Sequence, residues 1–196
     1  REFARHGFKT ICFFHNVEVD YYQQKYKTTH QPQDKLMVGF IAHNERCCID
    51  HASYLITLNE RDNRQLQKRY HRGADFILPT SFDAYDAAEH HDPVKLPEQY
   101  LLFVGTNFFA NKEAMDYYIK EIAPSVHIPL LVVGNIAEAF QDATAMPNVH
   151  FLGRVDDLAP YYLQATAVVA PILSGSGLKT KTVEALRYGK YVIGSA

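Results

Sequence analysis

The sequence predicts an α/β protein with two open sheets of parallel strands, and three observations support this class. Apolar runs of strand length recur along the 196 residues, and most are continuous rather than alternating, as in strands buried on both faces. Segments with helical signals lie between these runs, which produces the strand–helix alternation of parallel sheets. A stretch rich in Asp, Ala, His and Pro, over 83–97, interrupts the alternation and predicts a linker between two units.

The first unit, residues 1–82, contains three predicted strands and three predicted helices. In chain order they are a strand over 10–14, helices over 17–27 and 34–51, a strand over 54–58, a charged helix over 60–72 and a strand over 75–78. Strand and helix therefore alternate here in a shorter version of the pattern that follows residue 98.

The second unit, residues 98–196, shows the alternation most clearly. Its predicted strands cover 101–104, 130–133, 149–152, 167–170 and 191–193, and its predicted helices cover 112–122, 136–143, 156–164 and 180–188. Met115 and Tyr118 fall on one apolar stripe of the first of these helices. The acidic residues 156–157 suit a helix start, and Gly189 is a usual helix stop.

Composition and charge exclude several classes of protein. The net charge is −2, from 20 basic and 22 acidic side chains, whereas a protein that follows a nucleic-acid backbone is expected to be basic. No apolar run approaches the roughly 20 residues that cross a bilayer. Three cysteines, with Cys47 and Cys48 adjacent, predict free thiols in a reducing compartment rather than a disulfide framework.

Ligands of open parallel sheets bind beyond the carboxyl ends of the strands, so the residues that follow each strand are candidate site residues. The strongest candidate is the stretch PILSGSGLKTKTVEALRYG, over 171–189. Gly175 and Gly177 allow backbone N–H groups to turn toward a ligand. The helix start after them, together with Lys179 and Lys181, supplies positive charge. These features predict a diphosphate site.

Glu184 lies one turn into the same helix, where a carboxylate can accept hydrogen bonds from sugar hydroxyls. The stretch contains neither GxxxxGK[ST] nor GxGxxG, so it is not one of the common phosphate-binding motifs. A glycine-rich loop with solvated lysines and no ligand explains the residue pattern equally well.

A resemblance to a known family rests on five stretches of the sequence. These are FFHNVE, ITLNERD, ADFILP, VGTNFFANKEAM and GRVDDLAPYYLQATAVVAPILSGSGLKTKTVEALRYGKYVIGS. They resemble segments of GT-B-fold retaining glycosyltransferases of family 4, of the type that builds bacterial surface polysaccharides. The resemblance covers nearly the whole chain and is most specific after residue 100.

The resemblance implies two Rossmann-like parallel-sheet domains that face each other across a donor cleft. Residues 1–82 then correspond to the latter part of the N-terminal, acceptor-side domain, and 83–97 to the linker. Residues 98–196 correspond to most of the C-terminal domain, which binds the nucleotide-sugar donor. The abrupt ends of the sequence lead us to expect that both domains are truncated.

The resemblance also implies roles for individual residues. The matched positions are Gly175, Ser176, Gly177, Lys179 and Lys181 for the donor phosphates, Glu184 and Ser174 for the ribose and sugar, and Arg154 and Val155 for the nucleobase. His15 matches a histidine that faces the donor sugar and is the candidate catalytic residue. Glu18 and Asn16 are candidates for the acceptor side.

Two departures from the family pattern concern the donor. The first glutamate of a paired-glutamate motif is absent, and Ser174 and Ser176 stand in that region instead. Thr106 replaces an arginine that is common after the first C-terminal-domain strand, and Lys112 matches a following lysine only approximately.

The implied reaction moves a sugar from a nucleotide-diphosphate donor to a hydroxyl acceptor, saccharide or lipid-linked, with retention at the anomeric carbon. It requires no metal and no other cofactor. The implied location is the cytoplasm, including peripheral contact with the inner face of the membrane. Two alternatives remain open at this point: a nucleotide-sugar epimerase of the same architecture, and a non-catalytic nucleotide-sugar-binding module.

Overall fold

A computed structural model describes residues 2–86, 88, 91–140, 147–174 and 179–195. Its described residues form two compact units, the first ending at Thr80 and the second beginning at Ser81. Within the predicted linker, Val94 and Leu96 are partly buried against the core of the second unit. None of the helices that the structure describes combines the length and apolar character needed to cross a bilayer.

The first unit contains a sheet of three parallel strands in the order β1–β2–β3. Its elements are α1 (Glu2–Arg5), β1 (Ile11–Phe14), α2 (Glu18–Thr29), α3 (Pro32–His51), β2 (Tyr54–Thr57), α4 (Glu60–Tyr70) and β3 (Phe76–Ile77). Ile11 pairs with Tyr54, and Ile56 pairs with Phe76. Every strand and helix predicted for this half is present, with ends that differ by a few residues.

The ends of these helices have local causes. The helix α3 starts at Pro32 rather than at residue 34, because proline has no N–H group and suits the first turn. Asn59 caps α4 by accepting the N–H of Asp62 at 2.8 Å. The same helix ends at Tyr70, since His71 adopts a left-handed φ of 60° and its N–H bonds the Gln67 carbonyl.

The second unit contains five parallel strands in the order β6–β5–β4–β7–β8. Its strands are β4 (Leu101–Val104), β5 (Leu130–Val133), β6 (Val149–Gly153), β7 (Ala167–Ala170) and β8 (Val192–Gly194). Its α-helices are α5 (Phe109–Tyr117), α6 (Ala159–Gln164) and α7 (Thr180–Arg187), with a π-helical turn at Tyr118–Ile122 and 3₁₀ turns at Ala123–Ser125 and Asn135–Phe140. The predicted α/β class with two parallel sheets is therefore confirmed.

Both faces of the second sheet are covered, which explains its continuous apolar strands. In β4, Phe103 belongs to one buried cluster with Met115, whereas Leu102 belongs to the cluster on the other face with Tyr162. Neighbouring residues of a strand point to opposite faces, so a strand that is buried on both sides carries no polar alternation.

Three helices of this unit differ from the prediction. The helix predicted over 112–122 begins earlier, at Phe109, and changes to a π-helical turn over Tyr118–Ile122. The predicted helix over 156–164 begins at Ala159, because Asp157 accepts the N–H of Ala159 at 2.9 Å and so lies before the helix. The segment predicted as a helix over 136–143 is a 3₁₀ turn as far as Phe140, and 141–143 lie outside the described residues.

Candidate functional site

A cavity of about 520 Å³ lies in the second unit, where β4, β5 and β6 end and α7 begins. Its lining includes Gly105, Thr106, Asn111, Gly134, Asn135, Arg154, Val155, Leu158, Thr180, Lys181 and Glu184. The structure thus brings together four predicted site residues from two distant parts of the sequence, namely Arg154, Val155, Lys181 and Glu184. The position agrees with the rule that ligands of open parallel sheets bind at the carboxyl ends of strands.

The floor of the cavity is backbone that only glycine permits. Gly134 has a φ of 117°, and a Cβ atom there would lie 2.1 Å from the carbonyl oxygen of Gly105. The N–H of Gly134 bonds the Gly153 carbonyl at 2.7 Å, and the N–H of Gly105 bonds the Val133 carbonyl at 2.9 Å. The three strand ends therefore approach each other closely and leave room for a ligand above them.

Lys181 carries the strongest electrostatic signal in the cavity. Its Nζ lies 2.6 Å from Oδ1 of Asn111 and 4.3 Å from the centre of the Phe103 ring. Burial, with a smaller contribution from the charge of Lys179, lowers the pKa of Lys181 to about 8. Among the described residues, no carboxylate lies within 4.0 Å of this ammonium group. The site therefore holds a desolvated cation that an anion would stabilise.

Glu184 is held by the tyrosine behind it. The hydroxyl of Tyr162 donates to Oε2 of Glu184 at 3.0 Å. Tyr162 is fully buried and stacks on Tyr188, with ring centres 5.0 Å apart and planes 9° apart. Burial raises the pKa of Tyr162 above its ordinary value, so its hydroxyl remains a donor. The carboxylate of Glu184 is therefore fixed at the cavity wall and retains further acceptor capacity.

The residues at the end of β6 border the other side of the cavity. Arg154 is exposed and follows Gly153, whose φ is 75°. Val155 is half-buried and packs against the core. Oδ1 of Asn135 accepts the N–H of Asn107 at 2.8 Å, which joins the loops that follow β4 and β5. This side of the cavity therefore combines the cationic Arg154, the apolar Val155 and the amide of Asn135.

The remaining residues of the predicted phosphate site are only partly described. Gly175, Ser176 and Gly177 lie outside the described residues. Lys179 is the residue before α7, and its charge acts on Lys181. Ser174 is not among the cavity-lining residues, and its hydroxyl donates a hydrogen bond to the carboxylate of Glu113 on α5.

Three residues of the site were not predicted from the sequence. Asn111 and Phe103 contact Lys181, and Tyr162 contacts Glu184. Asn111 left one possible signal in the sequence: it lies four positions before Met115, on the apolar face of the helix, where a polar residue is unexpected. Thr106, which stands where the resemblance implies an arginine, lines the cavity, whereas Lys112 is not among the lining residues.

The candidates in the first unit lie directly after β1. His15 is exposed and packs edge-on against Phe13, with ring centres 4.9 Å apart. Asn16 is half-buried, and Glu18 begins α2. Burial, and then the charge of Glu45, raises the pKa of Glu18. The catalytic role of His15 and the acceptor-side roles of Asn16 and Glu18 stay predictions.

The cysteines and histidines do not form a metal centre within the described part of the chain. No group of three or more His, Cys, Asp or Glu side chains there is placed to hold a metal ion. Cys12, Cys47 and Cys48 are free thiols. Burial, followed by the neighbouring Cys48, raises the pKa of Cys12 to about 11, so this thiol is protonated at neutral pH.

Solved structures with a similar fold define the class of protein. WaaG, described as a glycosyltransferase involved in lipopolysaccharide biosynthesis, matches with a TM-score of 0.68 and 19% identity over 100% of this chain and 61% of its own. HepE from Anabaena, in complex with UDP, matches with a TM-score of 0.66 and 14% identity over 98% of this chain and 54% of its own. The pneumococcal O-GlcNAc transferase GtfA, in complex with UDP and GlcNAc, matches with a TM-score of 0.54 and 16% identity over 77% of this chain and 31% of its own. The fold is that of the GT-B glycosyltransferases.

The family follows from the sequence of the second unit. The family described as glycosyl transferases group 1 matches residues 98–196, which include every residue that lines the cavity. The chain belongs to this family. No curated protein matches the chain. The chain spans less than two thirds of the length of each of the three solved structures compared with it.

Proposed function

We propose that this chain binds a nucleoside-diphosphate sugar in the cavity of its second unit and serves the transfer of that sugar to an acceptor hydroxyl. The observation that carries the proposal is Lys181, a desolvated ammonium with neutral partners among the described residues, at the wall of a cavity large enough for a nucleotide. HepE has been solved with UDP and with UDP-glucose, and GtfA with UDP and GlcNAc, which supports a diphosphate donor by analogy of fold.

Each part of the donor has a suitable partner in the cavity. The diphosphate suits Lys181, the neighbouring Lys179 and the first N–H groups of α7. Glu184 suits the ribose hydroxyls, since its carboxylate accepts hydrogen bonds and is held by Tyr162. The wall that contains Arg154 and Val155 suits the nucleobase.

The proposed chemistry follows from where charge develops. The bond between the anomeric carbon and the phosphate oxygen breaks, a new bond to the acceptor oxygen forms, and the proton of the acceptor hydroxyl passes to the departing diphosphate. Negative charge grows on the departing diphosphate, and Lys181 stabilises that charge. Retention at the anomeric carbon and membership of family 4 belong to this proposal. His15 remains the candidate catalytic residue, and Asn16 and Glu18 remain candidates for the acceptor side.

The proposed pathway is polysaccharide or glycoconjugate synthesis in the bacterial cytoplasm, with a saccharide or lipid-linked acceptor at the inner face of the membrane. WaaG is a glycosyltransferase involved in lipopolysaccharide biosynthesis and GtfA is an O-GlcNAc transferase, which supports a role of this kind.

Calorimetry of the 196-residue chain with UDP, GDP and ADP tests the donor site. Lys181→Met should weaken binding of the preferred nucleotide by roughly 10- to 100-fold, the value of one charge-assisted contact. Lys190→Met is the matched control, because the Lys190 ammonium donates to the Leu163 carbonyl and does not line the cavity. Failure of folded wild-type chain to bind any of the three nucleotides would contradict the proposal.

A non-catalytic nucleotide-sugar-binding module is the second candidate. It is favoured by the missing glutamate and by Ser174, whose hydroxyl bonds Glu113 instead of lining the cavity. Incubation with UDP-sugars, with and without acceptor saccharides, separates the candidates. Transfer or donor hydrolysis supports the enzyme, an altered free nucleotide sugar indicates an epimerase, and tight binding with unchanged donor supports the module.

A further inference from the structure

Asn111 is a buried polar side chain whose amide joins two separate parts of the cavity wall. It lies near the start of α5 and is 7% exposed. Its Nδ2 donates to the carbonyl of Thr106, after β4, at 3.0 Å. Its Oδ1 accepts from Nζ of Lys181, on α7, at 2.6 Å. Both ends of the amide are therefore used, and the orientation of the group is determined by its two partners.

The chemical nature of the hydrogen-bond acceptor that faces Lys181 matters because this lysine is desolvated. A lysine in the first unit shows the usual arrangement: Lys25 faces the carboxylate of Asp34 at 2.8 Å, which compensates its charge. Lys181 instead faces an amide oxygen and the face of Phe103. An amide oxygen orients an ammonium group as a carboxylate does, but it leaves the positive charge for another partner.

We propose that Asn111 is a positioning residue of the donor site: it fixes the ammonium of Lys181 at the cavity wall through a neutral hydrogen bond and so keeps that charge available for the donor diphosphate. This inference rests on the proposed donor site. In this proposal the residue acts through Lys181 rather than through a contact of its own with the phosphates.

A purely structural role makes different predictions, since Asn111 also holds the Thr106 carbonyl. If the residue only stabilised the loop after β4, its removal would affect nucleotide binding whether or not Lys181 were present. If it acts through Lys181, its effect on binding disappears once the ammonium is gone. A double-mutant cycle separates these two cases.

The experiment compares UDP affinity, by calorimetry on the 196-residue chain, for the wild type, Asn111→Ala, Asn111→Asp, Lys181→Met and the double variant Asn111→Ala/Lys181→Met. We expect Asn111→Ala to weaken binding about 10-fold. Asn111→Asp, of nearly equal shape, should weaken it at least as much, because a carboxylate compensates Lys181 and repels the diphosphate. In the Lys181→Met background, Asn111→Ala should change affinity less than about twofold.

Two further measurements separate a loss of stability from a change at the Lys181 ammonium. Asn148→Ala removes another amide of this unit, whose Nδ2 donates to the carbonyls of Ala123 and Val126, and it should lower the melting temperature without changing UDP affinity. The ε-carbon NMR signal of Lys181, assigned by its loss in Lys181→Met, should titrate about one pH unit or more higher in Asn111→Asp.

The outcomes distinguish the two proposals. If the folded wild type binds none of UDP, GDP and ADP, the donor site fails and this inference fails with it. If the wild type binds UDP but folded Asn111→Ala binds equally well, only the positioning role is overturned. The positioning role is also overturned if Asn111→Ala weakens UDP binding as much in the Lys181→Met background as in the wild type. It is overturned too if the Lys181 signal titrates at the same pH in Asn111→Asp as in the wild type.

Discussion

Asp34 in the first unit and Lys181 in the second unit are two charged groups with different kinds of partner. In the first unit, the buried carboxylate of Asp34 faces Lys25 and accepts from the hydroxyl of Thr29, and its pKa is held below the usual value, first by the Lys25 hydrogen bond. In the second unit, the half-buried ammonium of Lys181 faces an amide and a ring, and desolvation lowers its pKa to about 8. Removal of one partner of a buried ion pair is costly, whereas a desolvated charge with neutral partners at a cavity wall marks a candidate ligand site.

The backbone beneath the cavity should give the largest effect. Gly134→Ala places a Cβ atom 2.1 Å from the Gly105 carbonyl oxygen, at a φ of 117°. We expect the second unit to lose about 3 kcal/mol or more of unfolding free energy, measured by urea denaturation, and to lose UDP binding. Gly189→Ala is the control: its φ is 65° but its surroundings are open, so a loss of about 1 kcal/mol with UDP binding retained is expected. Equal effects of both substitutions would show that the close contact at Gly134 is not needed.

The unfolding free energies of two lysine variants test directly whether the charge of Lys25 is compensated and that of Lys181 is not. Lys181→Met should raise the unfolding free energy at pH 7 by about 1 kcal/mol, because it removes a desolvated charge. Lys25→Met should lower it, because Asp34 loses its cation. Urea denaturation at pH 7 measures both, and opposite signs are the expected result. Destabilisation by both substitutions to a similar degree would mean that the Lys181 charge is compensated within the protein.

The pH dependence of stability has a definite sign. The pKa of Lys181 is lowered from 10.5 to about 8 in the folded protein, so between these values the unfolded chain binds more protons and stability rises with pH. The increase in unfolding free energy caused by Lys181→Met should therefore be largest below pH 8 and should shrink as the pH rises toward 10.5. Denaturation at pH 7 and pH 10 checks this, and an equal gain at both values would be inconsistent with the burial of a charged lysine.

One further effect on stability concerns the first unit alone. Tyr70→Phe removes a hydroxyl that donates to Oε2 of Glu45 at 2.5 Å, beside the N–H of Val19 that bonds Oε1. A loss of about 1 kcal/mol of unfolding free energy is expected, with UDP affinity unchanged. A change in UDP affinity would show that the first unit affects the donor site.

Strands were predictable where burial on both faces gives an unbroken apolar run. The limits of β4, β5 and β7 agree with the sequence prediction to the residue. Helix starts were less predictable, because acidic residues suit both a first turn and the position before it. Asp157 takes the second position and moves the start of α6 to Ala159.

The site was predictable where its residues follow strands or begin a helix, as do Arg154, Val155, Lys181 and Glu184. Their supporting residues were not, because those contacts depend on the order of strands in the sheet. β4 lies between β5 and β7, and this order lets Asn111, just after β4, contact Lys181, 70 positions later. Periodicity in the sequence contains no information about that order.

Proton uptake on UDP binding is the most direct test of a donor site built around Lys181. A diphosphate beside the ammonium should raise its pKa from about 8, so binding at pH 8 should take up protons, and UDP affinity should fall as the pH rises through 8. Calorimetry at pH 8, in two buffers of different ionisation enthalpy, measures the uptake. A donor site built around Lys181 predicts uptake in the wild type that is lost in Lys181→Met and retained in Lys190→Met. Binding without uptake, or uptake that persists in Lys181→Met, would contradict it.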